Sequence, residues 1–141
     1  VYTSCENSNE RLKEAFKVDN YQVKIRECSK ETTARERIML RDTSNAIRFD
    51  EATKEQHLIV SPDYYAILDV HNEKADHTDY SVYIVVDTAG NKYMTSSESF
   101  WKSFIDIFDE MATEEEPYQI EVYRLESKNY KGKEFITCSL I

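Results

Sequence analysis

The sequence predicts an α+β chain that is mainly β: a five-stranded barrel with a helix between strands three and four, plus an N-terminal helical and strand extension. Three observations predict it. From Tyr64 onward, short runs alternate apolar and polar residues with the period of half-buried strands. Between the third and fourth of these runs the apolar period changes to that of a helix. The chain has two glycines, so Gly90 and Gly132 each read as a turn.

The elements follow in order. Asn9 to Val18 reads as a short amphipathic helix with Leu12, Ala15 and Phe16 on one side. Tyr21 to Cys28 alternates as a strand, with Tyr21, Val23 and Ile25 facing one way. Thr33 to Leu40 is open to helix or strand, and Asn45 to Phe49 reads as a brief strand. His57 to Val60 is a short apolar run ending at the turn signal Ser61-Pro62-Asp63. Tyr64 to His71 and Tyr80 to Asp87 are strands, and the second is rich in β-branched and aromatic residues. Thr88 to Asn91 is a tight hairpin connection returning through Lys92 to Thr95.

Phe100, Phe104, Ile107, Phe108 and Met111 then recur at helical spacing, which predicts a helix over about Ser96 to Met111. Thr95-Ser96-Ser97-Glu98 fits a capping box, with Thr95 as the cap. Tyr118 to Leu125 and Glu134 to Ile141 are the last two strands, joined by the basic hairpin Glu126 to Lys133.

A chain of 141 residues fits one core. The expected organisation is an arm over 1–20 and a single domain over 21–141, with the barrel at 64–141. No apolar run approaches the ~18 residues of a membrane span. Three scattered cysteines (Cys5, Cys28, Cys138) argue against a disulfide framework and for a reducing, cytoplasmic setting. The net charge of −9 is uneven. Residues 1–50 carry ten Lys and Arg against nine Asp and Glu, and the remainder carries eight against eighteen. An acidic total repels nucleic acid at long range, but local basic stripes still bind it.

Residue patterns for catalysis are sparse. The histidines are His57, His71 and His77, and no CxxC or HExxH spacing occurs, so no metal site is expected. Neither a nucleophile elbow nor a phosphate loop is present, and Cys28 and Cys138 lie on predicted strands. Asp63, Asp69, Glu73 and Lys74 match a metal-dependent nuclease poorly, because the Glu and Lys are adjacent rather than two apart. A non-enzyme with no cofactor, no catalytic residues and no small-molecule substrate is the expectation.

What remains is a binding surface. Ten Tyr, six Phe and one Trp make an aromatic-rich chain. Phe100, Phe104, Phe108 and Phe135 are assigned to the core. Tyr65 and Tyr83 lie opposite the Ala66/Leu68/Val70 and Val82/Ile84/Val86 faces and are expected to project together from the outside of the barrel. Rings placed so would stack on bases at ~1–3 kcal/mol each without sequence readout. Tyr93 on the third strand, with Lys92 beside it, joins them. Lys128, Lys131 and Lys133 flank Tyr130 in the last hairpin, and Arg35, Arg37 and Arg48 could track phosphates. The acidic run Asp109, Glu110, Glu114, Glu115 and Glu116 reads as a solvated helix end, or as a DNA-mimicking face.

The order strand, strand, strand, helix, strand, strand is the OB-fold plan. The segments YYAILDVH, YSVYIVVDTAGNKYMT, SSESFWKSFIDIFDEM and YQIEVYRLESKNYKGKEFITCSLI resemble small OB-fold single-stranded-DNA-binding proteins of Gram-positive conjugative plasmids and phages. The resemblance implies coating of unpaired strands during replication or transfer, by a homo-oligomer. It departs from the family at the C-terminus, where Ser139-Leu140-Ile141 stands in place of an acidic tail. The expected function is sequence-independent single-stranded DNA binding, weakened by Tyr83→Ala or charge reversal at Lys131. The rival is an acidic inhibitor that docks on a DNA-handling enzyme.

Overall fold

The computed structural model describes residues 21–74 and 77–141. The expected helix at Asn9 to Val18 lies outside them. In chain order the elements are β1 (Tyr21–Cys28), α1 (Ala34–Arg41), β2 (Ile47–Arg48), α2 (Phe49–Ala52), β3 (Leu58–Val60), β4 (Pro62–Asn72), β5 (Asp79–Asp87), β6 (Lys92–Thr95), α3 (Glu98–Met111), β7 (Ile120–Glu126) and β8 (Glu134–Leu140).

The strands form two sheets, one ordered β1-β4-β5-β6-β2 and one ordered β3-β7-β8. Ser61 alone separates β3 from β4, so the chain steps from one sheet to the other at that residue. Thr88 N–H donates to its carbonyl at 3.0 Å. Pro62 therefore begins a strand rather than turning the chain. The β5–β6 hairpin closes as expected: Gly90 sits at φ +89°, and the Asp87 carboxylate accepts from the amides of Ala89 and Asn91 at 3.0 and 2.7 Å.

The five-stranded closed barrel is not what forms. Among the described residues no ladder joins β6 to β8. The outer edge of β6 instead pairs in parallel with β2, Ile47 opposite Tyr93 and Arg48 opposite Met94. α3 lies along β8, where Ser99 Oγ donates to the Ile136 carbonyl at 2.9 Å and Ser103 Oγ meets Thr137 Oγ1 at 3.0 Å. The gap is filled by Phe49, at the start of α2. Its ring is fully buried, stacked on Tyr93 at 5.1 Å and packed against Phe100 at 4.8 Å. Asp50 accepts from Thr95 at the end of β6, and its carbonyl accepts from Arg124 of β7, so α2 ties the two sheets together. The stretch expected to be a strand through Phe49 thus turns helical at Phe49, because that ring is worth more inside the gap than on an edge.

The larger sheet is covered on both faces. Tyr65, Ile67, Val85 and Tyr93 pack with Phe100 and Phe104 of α3 and with Ile120, Val122, Ile136 and Cys138 of the smaller sheet. Tyr64, Ala66, Leu68, Val70, Val82, Ile84 and Val86 form a second core with Leu40 of α1. Neighbouring strand residues point to opposite faces, so α1 and α3 lie on opposite sides of this sheet. Burial raises the Cys138 thiol to about 12, so it is a small core hydrophobe.

Both longer helices carry N-caps readable in sequence. Thr33 accepts from Glu36 N–H while the Glu36 carboxylate accepts from Thr33 N–H, which makes Thr33–Glu36 a capping box and settles α1 as helix. For α3 the cap is Ser97, accepting from Phe100 N–H at 3.2 Å. Thr95 stays in β6, and the helix begins at Glu98 rather than Ser96.

Candidate nucleic-acid interface

The tyrosines expected on an outer surface are on the inner one. Tyr65 is 7 % exposed, its ring edge-on to Trp101 and Phe108 at 4.9 and 5.0 Å. Its hydroxyl donates to Glu27, and burial, reinforced by that bond, raises its pKa. Tyr83 does share the face of Tyr65, but α3 covers that face, and its half-buried ring stacks on Trp101 at 4.6 Å. Tyr93 is buried against Phe49. None of the three presents a free ring face like that of an exposed hairpin tyrosine, because the aromatic stripe of α3 and Phe49 occupy those faces. Lys92 is also committed elsewhere: its ammonium donates to the carbonyls of Met39 and Asp42 and so caps the C-terminus of α1. Burial lowers its pKa.

The last hairpin keeps its expected residues together. β7 and β8 pair from Ile120 opposite Leu140 to Glu126 opposite Glu134. Ser127 N–H donates to the Lys133 carbonyl at 2.8 Å and Lys133 N–H to the Tyr130 carbonyl at 3.2 Å, with Gly132 at φ +83° making the turn. This fold of the tip leaves Tyr130 63 % exposed. Lys133 Nζ lies 5.5 Å from the centre of its ring. Lys128, Lys131 and Lys133 are exposed and form no ion pair among the described residues.

Below the tip, Leu125 and Phe135 sit opposite one another and both are exposed. Phe135, assigned to the core from sequence, is therefore part of the surface. Its neighbours Ile136 and Cys138 take the inner positions. The signal was available: in β8 Phe135 is the second residue, next to the basic loop, and alternation sets it opposite the inward Ile136 and Cys138.

Arg35 and Arg37 lie exposed on α1, on the far side of the larger sheet from α3, and Arg37 donates to the Thr32 carbonyl at 2.6 Å. Arg48 is exposed at the start of α2. Among the described residues no hydrogen bond or ion pair joins these arginines to the hairpin.

Comparison with family models, with curated proteins and with solved structures finds no match for this chain.

A concavity of about 710 Å³ opens over β1, β4 and β5. Two of its cations are paired with its carboxylates. Arg26 Nε donates to Asp69 at 2.8 Å, and the same guanidinium reaches Ser81 Oγ. That bond holds the Asp69 carboxyl below its ordinary range. His71 Nδ1 lies 2.7 Å from Asp79, and its other nitrogen 3.4 Å from Glu73. These bonds, that to Asp79 first, raise the His71 pKa. Arg26 and His71 are already paired, which leaves Lys24 as the groove's cation without an ion pair among the described residues, against three such lysines at the hairpin tip, so the groove has the weaker field for phosphate. No group of metal-binding residues is assembled among the described residues, and no helix there is long and apolar enough to cross a membrane.

Proposed function

We propose that this chain binds single-stranded DNA without sequence preference, through the β7–β8 hairpin, and acts as a non-catalytic module in plasmid or phage DNA replication or transfer. The observation that carries the reading is the hairpin tip: three unpaired lysines around one solvent-exposed tyrosine, above the exposed Phe135. Such a tip offers a base a ring to stack on and offers the backbone cations that release counterions. Duplex DNA hides its base faces, so exposed rings favour the unpaired strand. The architecture agrees with the reading. Taking β3 and β4 as one bent strand, β8-β7-β3/β4-β5-β6 follows the OB path, opened between β6 and β8 and sealed there by Phe49. In that plan the hairpin is a loop that grips oligonucleotides.

Fluorescence anisotropy with labelled oligo-dT, duplex DNA and single-stranded RNA, each at low and high salt, tests the proposal. Saturable, salt-sensitive binding of oligo-dT, weakened by Tyr130→Ala and by Lys131→Glu, is the expected result. A flat signal at low salt and micromolar protein overturns it, and equal loss from Tyr130→Ala and from an unrelated surface variant removes the hairpin from it.

A further inference from the structure

We propose that this chain self-associates head to tail, the basic and apolar outer face of α1 on one copy docking on the acidic C-terminal end of α3 on the next. α1 uses one residue, Leu40, to hold the sheet. The rest of it faces solvent, including Ile38 and Met39 at 58 % and 57 % exposure, between Arg35, Arg37 and Arg41. None of these arginines is paired with a carboxylate among the described residues, since Glu36, the helix's own acid, is held by Lys30 and the Thr33 cap.

The complementary surface is on α3. Asp106, Asp109 and Glu110 in its last turns, and Glu114 to Glu116 just beyond, are all exposed and without an ion pair among the described residues. Acids at a helix C-terminus oppose the helix dipole, and no basic residue occupies that turn. The fold therefore keeps a run of carboxylates where an isolated chain gains from cations, and a cationic partner relieves that repulsion. Half-buried Ile107 and Met111 on the same helix end provide apolar surface for Ile38 and Met39.

The two faces cannot meet within one molecule. Leu40 packs into the core on one side of the five-stranded sheet, and Phe100 and Phe104 pack into the core on the other. They must pair between copies, and because they are different patches the interface is heterologous, so it propagates rather than stopping at a two-fold dimer. The proposal does not depend on what the hairpin binds, because neither face contains a hairpin residue.

Sedimentation velocity at low and high salt, without nucleic acid, tests it on four proteins: the wild type, Arg35→Glu/Arg41→Glu, Glu114→Lys/Glu115→Lys, and the chain with all four substitutions. The wild type is expected to form a concentration-dependent series of oligomers that salt dissolves. Each double variant alone should be monomeric. Mixed in equal amounts, the two double variants offer both the intact pairing (acidic end with basic face) and its charge-reversed counterpart, so they should together form a mixed series. Combining all four substitutions in one chain should restore the series. A wild type that stays monomeric at low salt overturns the proposal, as does a symmetric dimer, a double variant that assembles unchanged, or a mixture that stays monomeric. Circular dichroism of each variant keeps misfolding from imitating the monomeric result, and the mixed sample reads the interface even if one variant is less stable.

Discussion

Tyr65, Tyr83 and Tyr93 on β4, β5 and β6, and Tyr130 and Phe135 at the β7–β8 hairpin, are rings of similar chemistry in two sheets of one fold, yet only the second group meets water freely. The difference lies in what arrives to cover them. α3 brings Phe100, Trp101, Phe104 and Phe108 onto the first group, and Phe49 completes the enclosure. Beyond Leu125 and Phe135 the hairpin leaves the body of the fold, and the three lysines at its tip favour solvent. Rings in the first region hold the two sheets together, whereas rings in the second are free to hold something else.

The largest expected effect that would break this contrast is on stability. Phe104→Ala should cost about 3–5 kcal/mol in urea unfolding, as large core truncations do. Tyr130→Ala should stay within about 0.5 kcal/mol, as exposed substitutions do. If the two variants unfold at the same midpoint, the regions are not different in kind.

Binding gives the next effect. Tyr130→Ala should weaken oligo-dT binding by about 1–3 kcal/mol, the value of one stacked base. Lys131→Glu should reduce the slope of log affinity against log salt by about 0.7 or more, the share of one single-strand phosphate contact. Tyr65→Phe sharpens the comparison: losing the hydroxyl bond to Glu27 should cost about 1 kcal/mol of stability while oligo-dT affinity stays unchanged.

The smallest effect concerns His71. Its folded pKa is raised above 6.5 by Asp79 and then Glu73. The stabilisation is therefore fully present below the unfolded pKa and fades as pH rises through the higher folded value. An NMR titration of the imidazole should place its midpoint above 6.5. A midpoint at or below that value shows the clamp on the β4–β5 connection to be absent in solution.

Much of this was legible in the residues. The alternation of β4, β5, β7 and β8 and the stripe of α3 placed those elements within two or three residues. Thr33 and Glu36 carried the capping box that makes α1 a helix. The lysines and tyrosine of the last hairpin were adjacent in sequence and stayed adjacent in space, because a tight turn has little freedom to separate them. The near-continuous apolar run Tyr64 to Leu68 was a further signal, since a strand covered on both faces has no polar side.

The local sequence by itself determined the period of each strand and helix, the turns at Gly90 and Gly132, and the basic hairpin, because these depend on residues a few positions apart. Only the tertiary structure decided that α3 and the smaller sheet would cover the Tyr65 and Tyr83 face of β4 and β5 while the opposite face is buried as well, that Phe49 would fill the opening between β6 and β8, and that Lys92 would cap α1. Those outcomes turn on contacts between residues about forty or more positions apart, and an alternating strand specifies two faces without saying whether a distant element will cover one or both.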